Sequence, residues 1–106
     1  MENFWTKIDD STASTGSATT VICGITEYAQ NMMGEITFVE LPEVGKIVKA
    51  GEQIGTIESL KAISPIITPI DGEIIEVNTV LEKKPELLND SPLTDGWIWR
   101  LSRNNN

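Results

Sequence analysis

Short apolar runs, divided by glycine, proline and small polar residues, organise this 106-residue chain. Residues Phe4–Ile8 alternate weakly and predict a short strand. Residues 9–18 (DDSTASTGSA) are small and polar, which predicts a flexible loop. Residues 19–25 predict a second strand. Thr26 is suited to cap a short helix running through Met33, because its hydroxyl can accept from a first-turn amide. Gly34 is the matching stop. Met32 and Met33 are expected as core filler. Residues 35–41 (EITFVEL) alternate again, with Ile36 and Phe38 expected to face one way, until Pro42 ends the strand.

Beyond Pro42 the turn signals crowd together. Gly45, Gly51, Gly55 and Gly72 punctuate β-rich runs at 46–48, 53–57, 63–67 and 73–77. That is the pattern of an all-β sandwich or flattened barrel. Pro85 opens a helical turn over 85–89, at the first-turn position proline tolerates. Residues 96–101 (GWIWRL) predict a final strand, and 102–106 are expected to fray. Trp97 and Trp99 alternate within that strand, so one should enter the core and the other face the surface. Trp5 is expected to pack on the sheet. The run Gly45-Lys46-Ile47-Val48 is echoed by Gly72-Glu73-Ile74-Ile75. These two segments flank 57–65 and would place it at the tip of a hairpin.

Composition narrows the possibilities. With 40% apolar residues the chain can build a packed core, and its length suits one domain, 1–106, with its core at about 5–101. The 16 acidic and 8 basic residues give a net charge of −8. Phosphate backbones and anionic membrane surfaces repel such a surface, so neither nucleic acid nor membrane is an expected partner. No apolar run is long enough to span a bilayer. Residues 1–10 resemble neither a signal peptide nor a transit peptide. Cys23 is the single cysteine, which is read as a buried thiol in a reducing compartment.

Histidine is absent. That removes the commonest general base, the commonest metal ligand and every Ser-His or Cys-His nucleophile pair. No catalytic residue and no metal site is assigned.

The chemistry concentrates in 55–65 (GTIESLKAISP). Ile54 and Ile57 precede Lys61, and Ile63, Ile66 and Ile67 follow it. A lysine at a hairpin tip is exposed, with its amine lifted clear of the sheet, where another enzyme can acylate it. Glu58, Ser59, Leu60 and Ala62 form its recognition context, and the small neighbours leave room for a modifying enzyme. By position alone, a lysine in a turn is ordinarily just solvated.

Glu58-Ser59-Leu60-Lys61-Ala62 resembles the lipoylation signature of glycine-cleavage H proteins. Further segments match in order. Gly24-Ile25-Thr26-Glu27-Tyr28-Ala29-Gln30 resembles the family's stretch before its first helix. Phe38-Val39-Glu40-Leu41-Pro42-Glu43-Val44-Gly45 resembles its next strand and turn. Ser64-Pro65 through Pro69-Ile70-Asp71-Gly72-Glu73-Ile74-Ile75-Glu76-Val77-Asn78 resembles the returning half. Pro85-Glu86-Leu87-Leu88-Asn89 and Gly96-Trp97 resemble its closing elements. The resemblance covers about 5–101.

It implies a mainly β fold with short helices, a barrel-sandwich hybrid of the lipoyl/biotinyl hammerhead type. It implies lipoate joined covalently to Lys61. It also implies a non-catalytic carrier that takes an aminomethyl group from glycine decarboxylase to an aminomethyltransferase, with dihydrolipoamide dehydrogenase reoxidising the dithiol. A lipoate ligase or lipoyl transferase would load it. A cytoplasmic monomer is expected, in the mitochondrial matrix if eukaryotic and processed.

Three places depart from the family. Asn3-Phe4-Trp5 stands where the family has His-Glu-Trp, so Phe4 replaces a glutamate that helps hold the loaded arm. Pro65 stands where an aspartate does the same. The family commonly carries a C-terminal helix beyond the Gly-Trp strand, whereas this sequence stops at Leu101-Ser102-Arg103-Asn104-Asn105-Asn106; within the third departure, 91–95 (SPLTD) also strays from the usual turn. A cationic amine gains from nearby carboxylates, so these changes leave two alternatives open. One is an H-like lipoyl carrier in sulfur oxidation or lipoate relay, and the other is an unmodified interaction module. A biotin carrier is disfavoured because Leu60 and Ala62, not methionines, flank the lysine.

Overall fold

The computed structural model describes residues 3–9 and 18–104. Of the loop expected at 9–18, residues 10–17 lie outside the described residues, and Ala18 already belongs to a strand. Among the described residues, eight strands are interrupted by short helical segments: β1 (Phe4–Ile8), β2 (Ala18–Ile25), α1 (Glu27–Met33), β3 (Ile36–Glu40), β4 (Ile47–Val48), β5 (Gln53–Ser59), β6 (Ile63–Ile67), β7 (Gly72–Val77), a 3-10 turn (Thr79–Glu82), α2 (Leu87–Asp90) and β8 (Trp99–Asn104). The strands form two antiparallel sheets, one five-stranded in the order β1-β2-β8-β7-β4 and one three-stranded in the order β3-β5-β6. No closed barrel forms among the described residues.

A single apolar cluster joins the two sheets. Val21, Cys23 and Ile25 of β2, Trp99 and Leu101 of β8 and Ile74 of β7 meet Val39, Ile57 and Ile66 of the smaller sheet. Alternation on β2 and β8 produces this face directly: Cys23 lies opposite Trp99 and Val21 opposite Leu101. The echoed segments of the sequence pair with each other, Ile47 opposite Glu73 and Val48 opposite Gly72. That pairing brackets the β5–β6 hairpin and projects its turn away from the bracket.

Helix α1 forms as expected. The Thr26 hydroxyl accepts from Ala29 N at 3.1 Å, and Gly34 N donates to Gln30 O at 3.1 Å. Its buried residues are Ala29 and Met33, one turn apart. Met32 falls off that stripe and is 64% exposed, so it is not core filler.

Alternation fails where strands bulge. The β3–β5 register shifts between Ile36 and Phe38. The extra residue keeps Ile36 and Val39 inside and turns Phe38 outward, 50% exposed, against the expectation that Ile36 and Phe38 share a face. A second shift, between Gln53 and Gly55, lets Ile54 and Ile57 both point inward.

The last strand begins and ends later than the pattern suggested. Gly96 belongs to the preceding turn: its N donates to Ser91 O at 2.8 Å, and a Cβ there would lie 2.6 Å from Leu87 O. Of the tail expected to fray at 102–106, residues 102–104 instead continue the strand, Thr20 pairing with Ser102, Thr19 with Arg103 and Ala18 with Asn104, and 105–106 lie outside the described residues. The turn at Pro85 becomes helical only at Leu87. Trp99 is fully buried, with the Phe4 ring edge-on at 6.0 Å. Trp97 is half-buried under the Arg100 guanidinium, 5.2 Å from its ring centre.

Candidate functional site

Strands β5 and β6 pair as far as Glu58 opposite Ile63. Four residues, Ser59 to Ala62, close the turn. Ser59 N donates to Ala62 O at 2.8 Å. The Ser59 hydroxyl accepts from Lys61 N at 3.2 Å and from Ala62 N at 3.1 Å, and it donates to Ala62 O at 3.2 Å. A single short polar side chain thus occupies the turn's inward-pointing amides. Leu60, 73% exposed, and Lys61 stand at the summit.

The predicted context residues gather around the lysine. Glu58 is half-buried at the centre of a cross-strand row, opposite Phe38 on one side and Ile63 on the other. Its carbonyl accepts from the Thr37 hydroxyl at 3.3 Å. Ser59 holds the turn, and Leu60 and Ala62 flank Lys61 in solvent. Among the described residues, no carboxylate forms an ion pair with Lys61 and no acceptor holds its Nζ.

Three further residues border the Lys61 turn that the sequence reading did not assign to the site. Glu35 O accepts from Leu60 N at 3.1 Å, tying the summit to the peptide that follows α1. Gly34 lies under the lysine stem: a Cβ there would sit 3.4 Å from Lys61 Cε and 3.6 Å from Cδ. Asn89 bonds both neighbours of Glu35, accepting from Ile36 N at 2.9 Å and donating to Gly34 O at 2.7 Å. No local pattern announces the Asn89 contacts, which span 53 and 55 residues. A surface groove of about 770 Å³ runs along this junction, lined by Gly34, Glu35, Glu86 and Asn89 among others.

Phe4 and Pro65 sit apart. Phe4 lines a small cavity of about 90 Å³ with Ile25, Ala29, Met33, Ile57 and Ser64, and no carboxylate borders it among the described residues. Pro65 is exposed opposite Thr56. Trp5 lies opposite Gly24, and its Nε1 donates to Pro92 O at 3.0 Å. Cys23 is wholly buried, and burial pushes its thiol up to about 12. No group of three or more His, Cys, Asp or Glu suited to a metal ion occurs among the described residues. No helix there is long and apolar enough to cross a membrane.

Two small antiparallel sheets with an exposed lysine on a tied-down hairpin turn have the form of a carrier module. The sequence profile described as Glycine cleavage H-protein matches residues 5–106, and the chain belongs to that family. It is 48% identical over 100 residues to the glycine cleavage system H protein of Thermus thermophilus, covering 94% of this chain and 77% of that one. It is 50% identical over 97 residues to the H protein of Rubrobacter xylanophilus, covering 92% and 71%. The crystal structure of a glycine cleavage system H protein from Mycobacterium marinum superposes with a TM-score of 0.81 at 37% identity, covering 93% of this chain and 76% of that one.

Proposed function

We propose that this chain is the lipoyl carrier of a glycine cleavage system and that Lys61 is the attachment site. The observation that carries the reading is the placement of Lys61: at the summit of a tight turn, exposed, with its backbone anchored and its amine uncommitted among the described residues. The residues fit the group. The aliphatic stem already lies along Gly34, so an acylated side chain leaves the protein over a surface without side-chain obstruction at that point. Amide formation removes the positive charge of Nζ without breaking an ion pair described here. Glu58, Ser59, Leu60 and Ala62 give a modifying enzyme a rigid outline to recognise.

A bound lipoyl group supplies the redox and group-carrying chemistry, here for an aminomethyl group. The protein contributes presentation, which makes it a non-catalytic subunit. Its partners in this reading are a lipoate ligase or lipoyl transferase, glycine decarboxylase, an aminomethyltransferase and dihydrolipoamide dehydrogenase. The net charge of −8 suits brief, electrostatically guided contacts. A cytoplasmic monomer, folded as one domain, fits these visits.

One observation favours a second reading, an H-like carrier serving another pathway. The cavity beside Phe4 offers no carboxylate to a cationic amine among its described lining residues.

Intact mass spectrometry tests both. Incubated with lipoate ligase, lipoate and ATP, the protein should gain one lipoyl group and Lys61→Ala none. A protein left unmodified by a ligase that loads a control carrier rules out the carrier reading. If the lipoylated protein then fails to gain an aminomethyl group from glycine and an active decarboxylase, the second reading replaces the first.

A further inference from the structure

We infer that Asn89 is a positioning residue for the lysine-bearing turn, acting from α2 through the Glu35 peptide; the inference rests on the reading of Lys61 given above. Ser59 sets the internal shape of the turn, but its bonds all lie within the turn. They do not determine where the turn points relative to the rest of the protein. The β5–β6 and β3–β5 ladders bring the turn to its place, and its further tie to the rest of the protein is the bond from Leu60 N to Glu35 O. That tie depends on whatever holds Glu35.

The sheet holds Glu35 poorly. Ile36 pairs with Ser59, but the register slips immediately afterwards, so the ladder is interrupted beside the turn. On the other side, α1 has ended at Gly34, whose φ of +76° breaks the helix. Asn89 spans the gap. Its amide oxygen takes the Ile36 N–H and its amide nitrogen gives to the Gly34 carbonyl, so one planar group grips both flanks of Glu35. The planar amide of asparagine holds its donor and its acceptor on two separate atoms facing the same way, and the short stem sets the reach.

Asn89 is itself well founded. Its N–H donates to Glu86 O at 2.9 Å, and Leu88 beside it is fully buried. The Ser91 N–H closes the helix on Leu87 O at 2.8 Å. A continuous path thus runs from the core through α2, Asn89 and Glu35 to Leu60, the residue before the lysine. Without Asn89, each enzyme acting on Lys61 must order the turn for itself, at a cost in affinity.

The test compares wild type, Asn89→Ala and Asn89→Asp. Ligase-catalysed lipoylation is followed by mass for kcat and KM, and amide exchange is followed by NMR. In Asn89→Ala, kcat/KM for lipoylation should fall on the order of tenfold, mostly through KM. The Leu60 amide should exchange at least about tenfold faster, while the core amides of Ile66 and Leu101 keep their wild-type rates. Asn89→Asp keeps the acceptor for Ile36 N but sets a carboxylate oxygen against Gly34 O in place of the donor, so its Leu60 amide should also exchange at least about tenfold faster than in wild type. If Asn89→Ala does not fold, Asn89→Asp answers the same questions. A folded variant whose Leu60 exchange is unchanged, or whose kcat/KM stays within about twofold of wild type, overturns the inference. If wild type itself takes no lipoate, the Lys61 reading has failed, and Leu60 exchange alone still decides whether Asn89 holds the turn.

Discussion

Gly34 is where helix stop, lysine stem and Asn89 anchor meet, so Gly34→Ala is a demanding perturbation. Its φ of +76° and ψ of −146° fall where L-residues with a Cβ are strained. Holding alanine there costs about 1–3 kcal/mol. The new Cβ would also lie 3.4 Å from Lys61 Cε. A flexible stem relieves that contact by swinging aside, so it adds little energy but shifts the root of the lysine arm. Taking about 2 kcal/mol, and about 4–8 °C per kcal/mol for a chain of this size, the melting midpoint should drop by roughly 8–16 °C. Circular dichroism melts of wild type and Gly34→Ala measure it. Gly45→Ala is the control, because Gly45 has a φ of +94° and nothing within 4 Å of a Cβ. It should show strain without contact. Acylation of Lys61 by a small amine-reactive ester, followed by mass, should change in Gly34→Ala and not in Gly45→Ala. A Gly34→Ala protein melting within about 2 °C of wild type would refute the strain argument, and unchanged Lys61 reactivity would refute the contact.

A Cβ on Gly24 would sit 2.7 Å from Cζ2 and 2.9 Å from Nε1 of Trp5. Gly24→Ala should therefore expel the indole, break its bond to Pro92 O and destabilise by about 1–3 kcal/mol. In a Trp5→Ala background the same change should cost at least about 1 kcal/mol less, and additive effects in the double-mutant cycle would sink this account. Cys23 should resist maleimide at pH 8 until the protein unfolds; fast labelling of native protein contradicts its burial. Its thiol titrates near the ordinary 9.0 when unfolded and at about 12 when folded. The unfolded chain then releases a proton that the folded chain keeps, so stability falls as pH rises from about 9 toward 12. Cys23→Ala should lose that part of the alkaline slope, which melts between pH 8 and 11 would reveal.

Much of this protein could be read along the chain because its local signals agree with their surroundings. The Thr26 cap and Gly34 stop depend on hydrogen bonds within a few residues, and they bound α1 as expected. The repeated Gly-x-Ile segments flanking 57–65 become paired strands that raise the Lys61 turn. The exposed place of Lys61 in a turn was legible from the apolar runs on either side of it.

Other features depended on packing. Whether Phe38 faces inward or outward is settled by a bulge between Ile36 and Phe38, a two-against-one match invisible in either strand alone. Residues 102–104 look like a polar tail, but they are held by partners about 80 residues earlier. Asn89 carries no signal in its own helix, since its two bonds matter only once α2 is brought beside the end of α1. Local chemistry puts Lys61 in the turn. The direction in which it is presented comes from contacts between distant segments, because a turn's own hydrogen bonds fix its shape and only the tertiary structure can aim it.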